Sequence, residues 1–235
     1  MDYSNLEVEI SHEIDWRIKE LSILKVLSIK RTINSKEREL IRKFAIPNIY
    51  STWEGYVKSV LKIYINKINS LTLKHTEIHG NILTHSIDTK YPQITTGVKN
   101  EFKSKCDFVN KFIADLYNPI AIETKFPTES NINLKVLNQL LLRLNLEQFP
   151  DKPYEKMLND LLFIRNSVAH GDNSIPITQE LIDTHIENVI KLMDEIMFKI
   201  LNGCIMCTYK NKRTDVQQTV LPNKEDLKKL IENKK

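Results

Sequence analysis

The chain has 235 residues, of which 41% are hydrophobic and 27% are charged. This composition is typical of soluble globular proteins, and the length suffices for one large domain. Charged residues or Asn interrupt every apolar stretch, which excludes a membrane-spanning segment. The first five residues lack the features of a signal peptide, and three cysteines cannot form a disulfide framework. We therefore expect a cytoplasmic protein.

Glycine is scarce, with five residues in the whole chain. Turns and bulges of β-sheet proteins depend on glycine, so this scarcity argues against a many-stranded β fold. The sequence predicts an all-α protein, a helical bundle with a long N-terminal helix and a short basic C-terminal appendage.

The net charge of +4 at pH 7 is concentrated at one end of the chain. Residues 208–235 contain eight basic and four acidic side chains, so they alone carry +4. Residues 1–207 are balanced in charge, which excludes a broad basic face for nucleic acid. Candidate phosphate contacts at the start of the tail are Lys210, Lys212 and Arg213. The alternative is a solvated terminus that only aids solubility.

Apolar residues at helical spacing predict the first elements. The first is a long amphipathic helix over residues 6–29. Asn34 and Glu37 form a capping-box pattern at the start of a second helix. Pro47 is expected to interrupt this helix, since proline lacks the N–H that an inner helical turn needs.

A third helix is expected from just after Pro47 to about residue 68, with one wide apolar face. Trp53 and Tyr56 lie on that face, so we interpret them as core residues rather than as a base-stacking platform. The further predicted segments are 76–87, 101–117, 133–146, 153–169 and a long helix capped by Thr178. Without a repeat or linker, residues 1–207 are predicted to be one domain, followed by a basic arm and a short helix over 208–235.

The helix predicted over 153–169 carries a charge in its apolar stripe. Helical spacing directs Arg165 towards the core. A buried guanidinium keeps its charge and needs a partner. Arg165 therefore marks either a functional site or a structural arginine, which is bonded to a carboxylate such as Glu54 or to carbonyls at a helix C-terminus.

His170 follows five residues later, directly before Gly171, which suits the position just past a helix end. On an ideal helix the side chains of Arg165 and His170 point about 140° apart. They can border one groove if the helix ends at His170, or if a second copy of the chain packs against it. Asn166 precedes His170 by four residues, so we expect it to hydrogen-bond the imidazole ring.

The segment 165–170, Arg-Asn-Ser-Val-Ala-His, resembles the Arg, four to six residues, His motif of the HEPN superfamily. The polar residue after the arginine and the Ala-His-Gly ending are further points of resemblance. The segment 53–58, Trp-Glu-Gly-Tyr-Val-Lys, is similar to a segment of HEPN-like nucleases found in bacterial toxin–antitoxin and phage-defence loci. The resemblance covers roughly residues 35–200.

This resemblance implies a metal-independent endoribonuclease that needs no cofactor and acts as a homodimer, with the two motifs meeting at the interface. Attack of the ribose 2′-OH on the adjacent phosphate would leave a 2′,3′-cyclic phosphate and a 5′-hydroxyl. His170 would transfer protons and Arg165 would hold the phosphate oxygens. Asn166 would orient His170 or contact the phosphate, and Ser167 is a possible substrate contact.

The resemblance also implies a biological role and a set of supporting residues. The protein would be a toxin or anti-phage effector that a partner protein restrains. Trp53, Glu54 and Tyr56 would support the site. One alternative is an inert HEPN-like dimer that binds a nucleotidyltransferase or an ATPase. Another is a plain helical protein in which Arg165 forms a buried ion pair.

Two other patterns have the spacing of metal ligands or redox pairs. His75 and His79 are four residues apart and His85 follows, but the glutamate of the zincin motif is misplaced. Cys204 and Cys207 would need a second ligand pair to bind zinc. We interpret the histidines as the polar surface of a short helix and the thiols as buried packing groups.

Overall fold

The computed structural model describes residues 4–30, 32–92, 102–126, 131–172 and 174–211. Within these ranges the chain forms seven α-helices and a 3₁₀ turn at His75–Glu77, with isolated β-bridges and no β-strand. The predicted all-α fold is confirmed. The helices are α1 (Ser4–Ile29), α2 (Ser35–Ser70), α3 (Gly80–Lys90), α4 (Phe102–Asp115), α5 (Leu134–Arg143), α6 (Asp151–Ala169) and α7 (Gln179–Ile205).

Most predicted helices are found within a few residues of their expected bounds. The capping box that opens α2 is complete, because Asn34 accepts from the Glu37 N–H at 2.9 Å and Glu37 accepts from the Asn34 N–H at 3.0 Å. The Thr178 hydroxyl caps α7 through the Leu181 N–H at 3.2 Å. Pro153 stands at the start of the regular part of α6, where its missing N–H has no cost.

The break predicted at Pro47 was wrong, because α2 continues through it. A proline inside a helix costs about 3 kcal/mol. Burial of a large apolar side chain contributes about 1.5–3 kcal/mol, so several such side chains outweigh this cost. Four neighbours of Pro47 are buried: Ala45, Ile46, Ile49 and Tyr50.

α2 is the central helix of the bundle and packs against α1, α6 and α7. α7 runs parallel to α2, because Tyr56 contacts Met193 while Tyr64 lies beside Gly203. α6 returns antiparallel to α7, and Tyr154 near its start donates to Glu195 at 3.3 Å. No helix in the described ranges combines the length and hydrophobicity needed to cross a bilayer.

One end of the bundle collects the C-terminus of α1, the N-terminus of α2, the C-terminus of α6 and the N-terminus of α7. The Ser28 hydroxyl donates to Gln179 Oε1 at 2.7 Å there, which joins α1 to α7. Because α6 ends with the segment 165–170, we call this the motif end. It holds every residue of the predicted catalytic set.

The opposite end is closed by α3, α5 and the residues after α7. The Asn145 amide donates to the Thr208 carbonyl at 2.7 Å, and the His79 N–H donates to the Tyr209 carbonyl at 2.8 Å. Lys210 forms a β-bridge with Ile78. Residues 208–211 therefore contact the helical body. The rest of the predicted arm, including its short helix, lies outside the described residues, and the boundary at residue 207 stays a prediction.

Candidate active site at the motif end

Helix α6 ends at His170 in a well-defined cap. Gly171 has a φ of 77°, in the left-handed region that glycine adopts with least strain. The Gly171 N–H donates to the Val168 carbonyl at 3.1 Å, and the Asp172 N–H donates to the Ser167 carbonyl at 2.9 Å. These two bonds form a Schellman motif. The predicted stop at Gly171 is confirmed, and the cap fixes the backbone of His170 at the helix end.

Arg165 lies on the side of α6 that faces α2 and is partly buried. Its guanidinium carbon is 4.8 Å from the centre of the Tyr50 ring, within the range of a cation–π contact. Its Nη1 donates to Asn166 Oδ1 at 2.8 Å and to Asn131 Oδ1 at 3.3 Å. All three partners are neutral, so none of them cancels the charge of the guanidinium.

No carboxylate of the described ranges lies within 4.0 Å of the Arg165 nitrogens. Glu54, which the sequence allowed as its partner, instead pairs with Lys58 at 2.6 Å on the same helix. The ion pair with Glu54, one of the alternatives that the sequence left open, is therefore not formed. The positive charge of Arg165 is available to an anion that approaches the motif end.

His170 is exposed to solvent, and its ring has no hydrogen-bond partner in the part of the chain that the structure describes. The predicted bond from Asn166 to this ring is absent, because Asn166 Oδ1 accepts from Arg165 instead. A charged donor forms the stronger hydrogen bond, so the amide oxygen of Asn166 accepts from the guanidinium and not from the imidazole ring. Arg165 and His170 stand on different sides of α6, as helix geometry predicts.

The chain was also compared with known protein families. Residues 6–209 match the family described as MAE_28990-like HEPN. The chain belongs to the HEPN superfamily. The match includes α1, which the resemblance over residues 35–200 left out. No curated protein and no solved structure matches the chain.

The buried aromatic residues of α2 lie beneath Arg165 and position one of its partners. Trp53 and Tyr56 are fully buried, so their predicted place in the core is confirmed. The Trp53 indole donates to the Ile132 carbonyl at 3.4 Å, and the Ile132 N–H donates to the Tyr50 hydroxyl at 2.7 Å. These bonds hold residue 132 against α2 and thereby place Asn131 beside the Arg165 guanidinium.

Tyr50 and Asn131 are the two site residues that the sequence analysis missed. Tyr50 precedes Trp53 by three residues on the same apolar face, which was the available signal. Asn131 gave no signal, because it lies in an irregular segment 34 residues away from Arg165. Burial raises the pKa of Tyr50, so its hydroxyl stays neutral beneath the guanidinium.

The other predicted substrate contacts are spread over the HEPN domain. Ser167 is partly buried on α6, between Arg165 and His170. Lys210 is exposed at the end opposite the motif end. On α2, Tyr50 contacts Arg165 at the motif end, and Tyr64 lies near the opposite end. Their separation of fourteen residues corresponds to a distance of about 21 Å along the helix axis. Lys210 is therefore remote from Arg165 within one chain. Lys212 and Arg213 lie outside the described residues.

The histidines of the second pattern have separate surroundings. His75 Nδ1 hydrogen-bonds the Asn118 carbonyl at 3.0 Å, and His79 Nδ1 accepts from the Asn81 N–H at 3.2 Å. His85 was expected on a polar surface but is fully buried, and its ring stacks on an aromatic ring 5.2 Å away. The described ranges contain no group of three or more His, Cys, Asp or Glu suited to a metal ion.

The cysteines at the end of α7 are free thiols. Cys204 is buried, and this burial raises its pKa to about 11. Since the thiolate is the reactive form, Cys204 is inert near neutral pH. The burial of Cys204 confirms its interpretation as a buried packing group. The same expectation for Cys207 was wrong, because its side chain is only partly buried and accepts a hydrogen bond from the Tyr209 hydroxyl at 3.6 Å.

Proposed function

We propose that this HEPN protein is a metal-independent endoribonuclease. The observation that carries the proposal is the uncompensated charge of Arg165, held by neutral partners at the end of α6. When a ribose 2′-OH attacks the adjacent phosphate, negative charge builds up on the phosphate oxygens. A preorganised guanidinium stabilises that charge more strongly than it stabilises the ground state. The products would be a 2′,3′-cyclic phosphate and a 5′-hydroxyl.

His170 would move the protons of this reaction. Its ring is exposed and free of partners among the described residues, so an approaching ribose can reach it. An imidazole ring can accept the 2′-OH proton or donate to the leaving 5′-oxygen. Asn166 would act on Arg165, by holding the guanidinium in one orientation through the bond of 2.8 Å.

The site would be completed by a second copy of the chain. Arg165 and His170 diverge on α6, whereas a two-fold axis would bring His170 of one copy beside Arg165 of the other. Six exposed apolar side chains near the C-terminus of α1 and the N-terminus of α2 support this pairing, because a second copy of the chain could cover them. These side chains are 41–61% exposed: Ile23, Val26, Leu27, Ile29, Leu40 and Phe44.

The biological role belongs to the same proposal. The similarity of segment 53–58 to nucleases of toxin–antitoxin and phage-defence loci supports a toxin or anti-phage effector. Uncontrolled cleavage of RNA would harm the host cell, so a partner protein would restrain the enzyme.

An inert HEPN dimer that binds a nucleotidyltransferase or an ATPase is the second candidate. One observation favours it: in the described chain the His170 ring shares no hydrogen bond and no partner with the Arg165 guanidinium. In such a protein Arg165 would bind an anion without any chemistry at His170.

Cleavage of RNA in the presence of EDTA tests the proposal. Wild type is compared with Arg165→Ala and His170→Ala, and with two control variants, Arg143→Ala and His12→Ala. Arg143 pairs with Asp88 away from the motif end, and His12 is exposed on α1. We expect the controls to cut as wild type does, and both site variants to stay folded and lose cleavage. The product ends should be cyclic phosphate and 5′-hydroxyl.

Two results would contradict the proposal. If wild type dimerises and binds RNA or a partner but never cuts, or if both site variants cut like wild type, the motif is not catalytic. The inert dimer then becomes the better description.

A further inference from the structure

A groove separates α6 from the N-terminal part of α7. The two helices make few contacts with each other and enclose a volume of about 530 Å³. This volume lies in the range of small-molecule sites, and its walls are mainly apolar, as such sites usually are. The residues that matter for its chemistry are Met157, Asp160, Phe163, Ile164, Leu181 and His185.

His185 is the polar group in the wall of this groove that lacks a partner. It is 3% exposed, and neither ring nitrogen has a hydrogen-bond partner within the described ranges. A buried polar group without a partner is strongly unfavourable, so native proteins rarely keep one without a reason. Asp160 on α6 affects the ring only through its charge, without a hydrogen bond. Both ring nitrogens are shielded from solvent, so a ligand in the groove supplies the missing bond once a rotation of the ring turns one nitrogen towards it.

Phe163 forms the outer wall of the groove and is 64% exposed. An exposed phenylalanine at the rim of an apolar groove offers a flat surface for stacking. His170 stands seven residues further along α6, which on an ideal helix is nearly the same face and about 10 Å along the axis. Phe163 at the rim of the groove therefore lies about 10 Å along α6 from the proposed general acid and base.

We propose that this groove binds a nucleobase of the RNA, which stacks on Phe163 and hydrogen-bonds to the ring of His185. The inference rests on the proposed function, because it assigns the groove to the substrate of that same site. A nucleobase is flat and uncharged, and its edge carries hydrogen-bond donors and acceptors, which matches an apolar groove with a single unsatisfied imidazole.

The charges of the groove agree with an uncharged ligand edge, because the two charged residues that line it, Lys156 and Asp160, have opposite signs. Burial lowers the pKa of His185, and the charge of Asp160 offsets this only in part. Near neutral pH the ring is therefore uncharged, with one nitrogen as donor and the other as acceptor. Such a ring pairs with the mixed donor and acceptor edge of a base better than with a phosphate, which Arg165 is suited to hold.

Equilibrium binding of a short 2′-O-methyl oligonucleotide tests this proposal. The methyl group blocks the attacking hydroxyl, so binding is measured without cleavage. The variants are Phe163→Ala and His185→Phe, and the matched control is Phe198→Ala, since Phe198 is 65% exposed on α7 and does not line the groove. We expect Phe163→Ala to weaken binding about 10-fold or more, His185→Phe to weaken it by a smaller factor, and the control to change it by less than about 2-fold.

An abasic version of the same oligonucleotide isolates the contribution of the base. Wild type should bind the abasic probe more weakly, and Phe163→Ala should bind both probes alike. If Phe163→Ala binds the base-containing probe as wild type does, the groove does not hold a base. If that variant instead loses dimerisation or a partner protein with RNA binding intact, the groove is a protein-docking site and the proposal is overturned.

Failure of this inference is distinguishable from failure of the proposed function. A wild type that cuts RNA while Phe163→Ala binds and cuts equally well retains the nuclease but loses the base site. A wild type that never cuts, yet binds the oligonucleotide in a Phe163-dependent manner, retains the base site within a binding module.

Discussion

Two arginines interrupt apolar helix faces in this HEPN domain, and their surroundings differ. Arg17 of α1 is 3% exposed, and its Nη1 donates to the Glu13 carboxylate at 2.6 Å and to the Glu13 carbonyl at 2.8 Å. Arg165 of α6 is partly buried and donates to the side-chain amides of Asn131 and Asn166. The first charge is compensated inside the chain, whereas the second has no carboxylate partner among the described residues.

Aromatic contacts do not distinguish the two sites. The Arg17 guanidinium lies 4.1 Å from the ring centre of Trp16, and that of Arg165 lies 4.8 Å from Tyr50. The carboxylate makes the difference. Partial burial alone would raise the pKa of Glu13, but the hydrogen bond and charge of Arg17 bring it below its ordinary value. An arginine in an apolar face thus indicates an anion site only where the fold supplies no acidic partner.

The largest effect is expected from Arg17→Met. It removes the only cation paired with the Glu13 carboxylate among the described residues and leaves the hydrogen bonds from Ser59 and Trp16. Loss of one member of a buried ion pair costs about 3–5 kcal/mol. We expect the lower end of that range, because the Glu13 side chain keeps 23% exposure. Urea unfolding measures the loss, and RNA cleavage per folded molecule should stay at the wild-type level.

The double variant Glu13→Leu with Arg17→Met serves as the control for this interpretation. Replacement of both charges by apolar groups is often neutral, so most of the lost stability should return. If the double variant is as unstable as Arg17→Met, the arginine stabilises the fold through its packing and not through Glu13.

Local sequence signals determined most of the helices. The capping box at Asn34, the Thr178 cap and Gly171 act through bonds to near neighbours, so they can be read directly from the chain. Pro47 was misjudged because the packing of its neighbours against other helices outweighs its local cost. That packing depends on residues far away in sequence, which a local pattern does not contain.

The site was predictable only as far as the motif itself. Arg165 and His170 stand out by spacing, and Asn166 is part of the motif, whereas the other two partners of Arg165 come from α2 and from the segment before α5. Arg17 continues the stripe of Ile10 and Ile14 and was equally visible as a charge in an apolar face. Which arginine has a carboxylate beside it was decided by tertiary structure.

Arg165→Lys tests the second arginine of this comparison. Lysine keeps the charge but lacks the planar set of donors that fits phosphate oxygens. We expect cleavage to fall about 100-fold, which corresponds to about 2.7 kcal/mol of transition-state stabilisation. The free energy of unfolding should change by less than about 1 kcal/mol, since the residue is partly exposed.

Arg17→Lys is the matched control for this variant. It should lower the midpoint of urea unfolding and leave the cleavage rate of the folded protein intact. The reverse pattern, with cleavage sensitive to position 17 and stability sensitive to position 165, would contradict the division between a structural and a functional arginine.

The smallest expected effect is on the pH dependence of stability and involves His185. Unlike Arg17 and Arg165, this buried side chain can lose its charge. Burial lowers the pKa of His185 below its ordinary value of 6.5, with Asp160 acting in the opposite direction and Lys156 at the same groove. The unfolded chain takes up a proton as the pH falls through 6.5, whereas the native ring resists protonation until a lower pH. The free energy of unfolding is therefore unaffected by the titration of His185 above pH 6.5. It decreases as the pH falls from 6.5 towards the pKa of His185 in the folded protein.

Thermal unfolding at pH 7.5 and pH 5.5 measures this decrease. His185→Phe cannot titrate at this position, so its Tm should fall less between the two pH values than that of wild type. Each kcal/mol of difference corresponds to about 2–4 °C in a domain of this size. His12→Phe is the matched control, because His12 is exposed and its variant should follow wild type. An equal fall in Tm for His185→Phe and wild type would mean that the native protein protonates His185 as readily as the unfolded chain does, and that the groove is wetter than its apolar walls indicate.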